Sequence, residues 1–188
     1  MSKFLIAGLG NIGDEYENTR HNIGFKVLDT LAKENNLKFS SGRLAAVAEY
    51  KFKGRTLLLI KPTTFMNLSG KAINYWLQAE KIPKENLVVV TDDIALPFGS
   101  LRMKGKGSNG GHNGLKNIQE TLNSVDYTRI RFGVGSEFVK GRQVDYVLGK
   151  WTPEEEKLLE PRIKQAMEMI QGFATIGLQL TMTNYNKK

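Results

Sequence analysis

The sequence predicts a single α/β domain over residues 1–188, in which a mixed, mostly parallel, twisted sheet carries helices on both faces in three layers. Two observations lead to this prediction. Strand-like and helix-like apolar patterns alternate along the chain, and one pair of strands is spaced closely enough to form a hairpin. No repeat or Pro/Ser-rich linker divides the chain, and a chain of this length buries roughly 70% of its unfolded surface, enough for one core.

The chain opens with the pattern of a strand, a turn and a helix. Residues 3–7, which contain the apolar run 4–7, are typical of a buried strand, and the glycine-rich stretch 8–13 predicts a turn. From about Arg20 the apolar residues take helical spacing, which predicts a first helix. Asn18 or Thr19 is the candidate for its N-terminal cap.

The next segments predict a hairpin, a second helix and a central strand. Residues 45–52 and 56–60 flank a Lys-Gly-Arg turn, so we expect them to pair in antiparallel fashion. Ser69 is placed to cap a helix with one apolar face. Residues 87–90 are a β-branched run typical of the centre of a sheet.

The remaining elements follow from turn and cap signals. A short strand leads into the glycine-rich loop 105–114, a helix follows, and residues 127–134 alternate as a strand. Thr152-Pro153-Glu154-Glu155 is a capping box with proline at the first helical position. Pro161 is expected to kink or restart that helix before a terminal helix around Phe173.

The composition excludes several kinds of site and favours a polyanionic partner. The chain has no cysteine, which excludes disulfides, thiolate metal sites and a cysteine nucleophile. Its 27 basic and 19 acidic residues give a net charge of +8. That excess attracts polyanions such as nucleic acid, although a basic surface that only aids solubility explains it equally well. No stretch approaches the ~18 apolar residues of a membrane helix and no signal peptide is visible, so we expect a cytoplasmic protein.

The first turn admits a rival interpretation. Gly8-Leu9-Gly10-Asn11-Ile12-Gly13 follows a predicted strand, as does the fingerprint of dinucleotide-binding turns. That fingerprint also needs a helix opening at the third glycine and an acidic residue ending a second parallel strand ~20 residues later. Acidic residues follow Gly13 directly, where they would repel a pyrophosphate, and Asp29 falls within a helical pattern. We therefore disfavour a nucleotide-dependent dehydrogenase, which tight NAD(P) binding would restore.

His21 and two carboxylates are candidates for acid–base chemistry. His21 falls in the first turn of a predicted helix, where the helix dipole disfavours the charged imidazole and leaves it able to accept a proton. Asp92 and Asp93 end a predicted central strand, at the edge where open α/β sheets bind ligands. A carboxylate on one imidazole nitrogen fixes the tautomer while the other nitrogen takes a proton. The sequence does not decide between Asp92 and Asp93. A core role for His21 and magnesium binding by the two carboxylates are the rival interpretations. Because no third carboxylate is placed nearby, we expect no metal, and we also expect no cofactor.

Asparagines recur beside these groups, in loops or glycine-containing segments. An uncharged amide donates to an oxyanion and accepts from an amine or a water, although asparagine also suits left-handed turns. No serine stands in a G-x-S-x-G context, so activated water is the simpler nucleophile. The asparagines are Asn11, Asn22, Asn67 and Asn113.

Five segments in order resemble the bacterial-type peptidyl-tRNA hydrolase family. They are GLGN after the first strand, TRHN at 19–22, KPTTFMNLSG at 61–70, Asp92, and GGHNGLK at 110–116. The match covers about residues 3–149, and the C-terminal helices fit in pattern only. The resemblance implies hydrolysis of the ester between a peptide and the 3′ ribose of tRNA, which recycles tRNA from stalled translation without a cofactor.

The resemblance implies a catalytic set. His21 would be the general base that activates water, and Asp92 the carboxylate that holds and polarises it. Asn11 would recognise the N-acylated substrate and so spare ordinary aminoacyl-tRNA. Asn67 and Asn113 would position substrate and water or stabilise the oxyanion.

The resemblance also implies how tRNA is held. Tyr16, Phe65 and Met66 would line the cleft at the acceptor end. Lys104 and Arg131 would clamp acceptor-stem phosphates, for which cationic side chains are the direct solution. We expect the protein to act as a monomer with peptidyl-tRNA as its partner.

One departure and one alternative remain. Ile12 replaces a proline common in the family, so the turn that holds Asn11 is less constrained in φ. A non-hydrolytic RNA-binding module is the alternative function, since such a relative of this fold serves in RNA splicing. A binder would keep Lys104 and Arg131 but would not need the catalytic set, which is present here.

Overall fold

A seven-stranded mixed sheet forms the centre of the structure, a computed structural model that describes residues 2–186. The order across the sheet is β2-β3-β4-β1-β5-β7-β6. The parallel pairs are β4 with β1, β1 with β5, and β5 with β7, and the other three pairs are antiparallel. The strands are β1 (Lys3–Gly8), β2 (Ser40–Gly42), β3 (Ala45–Phe52), β4 (Arg55–Pro62), β5 (Leu87–Asp93), β6 (Leu101–Lys104) and β7 (Thr128–Gly133).

The predicted mixed sheet is confirmed, with the hairpin of β3 and β4 as expected and β5 at the centre. The sheet is not mostly parallel, because β2 extends the hairpin at one edge and β6 pairs antiparallel with β7 at the other. Parallel pairing is confined to the four central strands. Their carboxyl ends therefore meet at one edge of the sheet, which is where open α/β sheets bind ligands.

Helices cover both faces of the sheet, which confirms the three layers. On one face α1 and α5 share a core cluster with Ile6 of β1, and on the other α2 and α3 share a cluster with Leu5. These two neighbours on β1 point to opposite faces, as the period of a strand requires. The helices are α1 (Ile23–Glu34), α2 (Ser69–Ala79), α3 (Asn113–Leu122), α4 (Gln143–Val147) and α5 (Pro153–Tyr185).

The start of α1 differs from the prediction. A 3-10 turn, Arg20–Asn22, precedes the helix, so His21 lies just before the first helical turn rather than within it. Neither predicted cap acts as one. Asn18 has a left-handed backbone with φ 61°, and the hydroxyl of Thr19 donates to the carbonyl of Tyr16 at 2.8 Å.

The cap predicted for α2 is also wrong, whereas that of α5 is confirmed. The hydroxyl of Ser69 donates to a carbonyl three residues earlier instead of accepting from the helix. In α5 the side chain of Thr152 accepts from the backbone N–H of Glu155, and the Glu155 carboxylate accepts from the backbone N–H of Thr152. α5 does not restart at Pro161: the backbone stays helical there, since the φ that the proline ring fixes lies in the helical range. The break falls instead at Gly177, whose φ of 88° and ψ of 173° suit glycine.

The end of α5 covers the outer edge of the sheet. The side-chain amide of Asn186 accepts from the backbone N–H of Met103 at 2.8 Å and donates to its carbonyl at 3.0 Å. Met103 lies in β6, the last strand of the sheet. Among residues 2–186, no helix combines the length and apolar character that a membrane span requires.

Candidate active site

The predicted site residues collect in one cleft of about 540 Å³ at the carboxyl edge of the parallel strands. The sheet order places them side by side. Phe65 follows β4, Asn11 follows β1, Asp92 is the penultimate residue of β5 and Arg131 lies on β7. Every residue predicted for the site lines this cleft: Asn11, Tyr16, His21, Phe65, Met66, Asn67, Asp92, Lys104, Asn113 and Arg131.

His21 contacts Asp92 directly. The imidazole Nδ1 lies 2.8 Å from Asp92 Oδ2, although 71 residues separate the two in sequence. Asp92 is only 3% exposed, and Asp93 turns away to form an ion pair with Arg131. Of the two carboxylates that the sequence left open, the structure brings Asp92 to the imidazole.

A glycine in α1 permits this contact. A Cβ atom at Gly24 would lie 2.4 Å from Leu9 N and 2.5 Å from Val90 O, closer than real Cβ atoms come to backbone. The first turn of α1 therefore lies directly on the ends of β1 and β5. His21, three residues before Gly24, reaches the carboxylate that ends β5.

A second imidazole, which the sequence analysis did not assign to the site, contacts the same carboxylate. His112 Nε2 lies 2.8 Å from Asp92 Oδ1 and 2.8 Å from Thr91 Oγ1. Its Nδ1 accepts from the backbone N–H groups of Gly114 and Leu115 at 3.0 and 3.3 Å, so His112 is the N-terminal cap of α3. Because Nδ1 accepts, the hydrogen-bond network assigns the ring hydrogen to Nε2. A histidine directly before a predicted helix was the available signal.

The two histidines hold Asp92 in its ionised form. Burial by itself would raise the pKa of the Asp92 carboxyl, but the electrostatic interactions and hydrogen bonds with His21 and His112 hold it well below its usual range. An ionised carboxylate only accepts hydrogen bonds, so Nδ1 of His21 carries a hydrogen. The remaining nitrogen of His21, Nε2, is the one available to accept a proton.

His21, Asp92 and His112 are also the one group of potential metal ligands found within residues 2–186. One donor atom from each lies within 4.8 Å of the others. A ligating imidazole nitrogen must be free of hydrogen, whereas His112 Nε2 carries one while Nδ1 caps α3. Magnesium prefers oxygen ligands, of which this group offers a single carboxylate. The donors therefore suit a hydrogen-bonded triad better than a metal site.

The amide of Asn11 has a defined orientation. Its backbone N–H and carbonyl bond to the side-chain amide of Asn22, each at 2.8 Å, and its Oδ1 accepts from Met66 N at 2.6 Å. With the oxygen engaged, Nδ2 is the group of Asn11 left to donate into the cleft. Asn22 therefore supports the site from behind, while Asn67 and Asn113 expose their amides at the rim.

Cationic side chains line the other end of the cleft. Lys104 is exposed and forms no ion pair within the described part of the chain, whereas the Nε of Arg131 is engaged by Asp93. Arg129, which the sequence analysis missed, is 2% exposed and donates to the carbonyls of Gly107 and Val125 at 2.9 and 2.6 Å. Arg129 thereby fastens the base of the glycine-rich loop to β7.

A wall contributed by α4 was also missed by the sequence analysis. Gln143, Val144 and Val147 of this helix line the cleft. Arg20, next to His21, is 8% exposed and donates to the carbonyl of Tyr146 at 3.1 Å and to Glu155 Oε1 at 3.0 Å. These bonds tie the 3-10 turn that carries His21 to α4 and to the start of α5.

Comparison with known proteins agrees with this geometry. A family model described as peptidyl-tRNA hydrolase matches residues 5–188. Proteins named peptidyl-tRNA hydrolase from Phocaeicola vulgatus and Cytophaga hutchinsonii are 57% and 60% identical over 186 residues, which cover 99% of this chain and 100% and 99% of theirs. The crystal structure of peptidyl-tRNA hydrolase from Acinetobacter baumannii superimposes with a TM-score of 0.91 at 30% identity, covering 97% of this chain and 94% of that one.

Proposed function

The chain belongs to the peptidyl-tRNA hydrolase family, and from that premise we propose that it cleaves the ester between a peptide and the 3′ ribose of tRNA with a water activated by His21. The observation that carries the proposal is the contact between His21 Nδ1 and the buried Asp92 carboxylate inside an open cleft. That contact leaves Nε2 of His21 free to act as a base.

The reaction begins with proton transfer to His21. Nε2 takes a proton from a water whose oxygen attacks the ester carbonyl carbon, and Asp92 stabilises the imidazolium that forms. The resulting tetrahedral intermediate carries the former carbonyl oxygen as an oxyanion. When it collapses, the bond between that carbon and the ribose 3′ oxygen breaks, and the 3′ oxygen takes the proton from His21. The products are the free peptide acid and tRNA with a 3′ hydroxyl.

Asparagine amides supply the donors that this intermediate needs. Asn11 directs Nδ2 into the cleft, where it suits the carbonyl of an N-acyl group and so favours peptidyl over free aminoacyl substrates. Asn67 and Asn113 lie at the rim, where their amides can position the water or meet the oxyanion. Preorganised donors of this kind typically contribute about 3–4 kcal/mol to lowering the barrier.

His112 has a positioning role in this scheme. It contacts Asp92 through the oxygen that His21 does not use, and its own Nδ1 is engaged by α3. It therefore holds the carboxylate in the orientation that suits His21 without exchanging protons with the substrate.

Lys104 and Arg131 are proposed to bind the phosphates of the acceptor stem. Lys104 is free of ion pairs within residues 2–186, whereas Arg131 must share its charge with Asp93. We expect Lys104 to contribute more to the salt dependence of tRNA binding. The substrate is made in the cytoplasm, so we propose that the protein acts there, as a monomer, since all the groups invoked come from one chain.

A cleavage assay tests the proposal. The protein is incubated with N-acetylated and with free aminoacyl-tRNA, with and without EDTA. We expect rapid cleavage of the N-acetylated substrate alone, unaffected by the chelator. Equal rates on the two substrates, or salt-dependent tRNA binding without any cleavage, would reject the assignment in favour of a less selective esterase or of an RNA-binding module.

A further inference from the structure

Phe65 has a backbone conformation that side chains rarely tolerate. Its φ is 64° and its ψ is 159°, a combination found almost only in glycine. Such a conformation persists only where neighbouring contacts determine it fully. The chain uses glycine at many other positive-φ positions but not at this one.

Hydrogen bonds at both ends hold the peptide unit between Phe65 and Met66. The carbonyl of Phe65 accepts from Leu68 N at 3.1 Å and from the hydroxyl of Thr64 at 3.3 Å. On the other side, Met66 N donates to Asn11 Oδ1 at 2.6 Å. The same strained unit therefore fixes the orientation of the Asn11 amide.

The ring of Phe65 contributes little to the fold. It is 47% exposed and belongs to neither core cluster. Its aromatic neighbour is Tyr16, which meets it edge to face with ring centroids 6.4 Å apart, and both rings line the cleft. Glycine would satisfy the backbone here without strain, so the ring is what the chain gains by keeping phenylalanine at this position.

The order of strands indicates which part of the substrate the ring meets. Phe65 follows β4, beyond Asn11 after β1, whereas Asp92 lies near the end of β5 and the cations lie on β7 and β6. The ester is cleaved beside Asp92, and phosphates go to the cations. The acyl group must then extend the opposite way, across Asn11 towards β4.

We infer that Phe65 is a specificity-determining residue whose ring, held out by the strained backbone, contacts the side chain of the amino acid esterified to tRNA. This inference rests on the proposed function and adds to it a preference among acyl groups. Substrates with a large apolar side chain at that position gain the contact with the ring, and glycyl substrates do not.

Matched substitutions separate the ring from the strain. Phe65→Ala removes the ring but keeps a Cβ, Phe65→Gly removes both, and Phe65→Leu keeps an apolar side chain. Leu68→Ala is the control, because Leu68 is 46% exposed in the same turn but does not line the cleft. The thermal unfolding midpoint of Phe65→Gly is expected to be higher than that of Phe65→Ala, because glycine adopts this backbone conformation without strain. An alanine variant that is more stable than the glycine variant would contradict the claim that the backbone at Phe65 is strained.

Kinetics test the contact with two substrates, N-acetylphenylalanyl-tRNA and N-acetylglycyl-tRNA, each variant being compared with the wild type on the same substrate. For the alanine and glycine variants we expect kcat/KM on the phenylalanyl substrate to fall on the order of tenfold, mainly through KM, the scale of one lost aromatic contact. The glycyl substrate should lose clearly less than the phenylalanyl substrate, the leucine variant should lose less than the alanine variant, and Leu68→Ala should stay near the wild type. Equal losses on both substrates, or none, would overturn the inference, whereas a wild type that cleaves neither substrate would reject the proposed function instead.

Discussion

The segment around His21 and the segment around His112 make the same contact with different results. Both lie directly before a helix, and each directs one imidazole nitrogen to one oxygen of Asp92 at 2.8 Å. They differ in the other nitrogen. That of His112 accepts from two backbone N–H groups of α3, whereas that of His21 has no hydrogen bond within residues 2–186.

This difference shows how the surroundings of a histidine decide its role. An imidazole with both nitrogens engaged by the protein cannot exchange a proton with a substrate and serves as a fixed donor. An imidazole with one nitrogen free, and the other held by a carboxylate, is suited to general-base catalysis. The carboxylate joins the two, so each of the following predictions acts on one arm of this triad or on its centre.

The largest effect is expected from His21→Ala. Loss of a general base should lower kcat by a factor on the order of 10²–10⁴. The thermal unfolding midpoint should fall only modestly, because the buried Asp92 carboxylate loses one partner but keeps its bond to His112. Single-turnover cleavage of N-acetylated aminoacyl-tRNA and a melting curve provide the two readings. A large fall in melting temperature with a modest loss of activity would make His21 a structural residue instead.

The next effect concerns Asp92 and pH. Its native-state pKa lies below the usual value, so unfolded chains take up this proton at higher pH than native chains do. The stabilisation is therefore fully present above about pH 4 and is lost as pH falls further, at up to about 1.4 kcal/mol per pH unit. Urea unfolding of the wild type and of Asp92→Asn at pH 6, 4 and 3 measures this contribution of Asp92 to the free energy of unfolding.

The wild type should lose stability relative to Asp92→Asn over that interval, and the variant should also lose most of its activity at pH 7. Asp126→Asn, at an exposed carboxylate, is the control for a change of charge. A gap between wild type and Asp92→Asn that is the same at all three pH values would contradict the triad.

Two substitutions at His112 separate its two contacts. Asparagine is a good helix cap but too short to reach Asp92, whereas alanine loses both functions. We expect each variant to lower kcat on the order of tenfold, and only His112→Ala to lose the cap, which is worth about 1 kcal/mol of unfolding free energy. Full activity in His112→Asn would reduce His112 to a helix cap.

The smallest effect is expected from Thr91→Val. The hydroxyl of Thr91 lies 2.8 Å from His112 Nε2, which still has the Asp92 oxygen when the hydroxyl is removed. Loss of this one hydrogen bond should lower kcat by about fivefold or less. Thr128→Val, at a buried threonine of β7 outside the cleft, is the matched control and should leave kcat unchanged.

The fold was largely predictable because its signals are local. The hairpin of β3 and β4 follows from a three-residue turn, and the start of α5 follows from its capping box. The expected restart at Pro161 was wrong because the φ that proline fixes is compatible with a helix, and α5 packs on the same core cluster before and after it, through Leu159 and Ile163. Gly177, which breaks α5, has no distinctive neighbours in the sequence.

The site residues that lie at the boundary of a strand or a helix were predictable from the sequence. His21 and Asp92 were each placed by an element boundary, and the topology of parallel strands brings such boundaries together. His112 lay within the family motif, yet its contact with Asp92 depends on how the loop 105–112 folds back over β5. The ion pair of Arg131 with Asp93 and the burial of Arg129 depend on the same tertiary packing.

The amide of Asn186 has a consequence for association between molecules. β6 is the last strand of the sheet, and its outer backbone groups would otherwise offer a template on which a strand of another molecule could pair. The two bonds from Asn186 to Met103 occupy the middle of that template. Because Asn186 does not line the cleft, we expect Asn186→Ala to keep its cleavage activity and to self-associate more than the wild type, which size-exclusion chromatography measures.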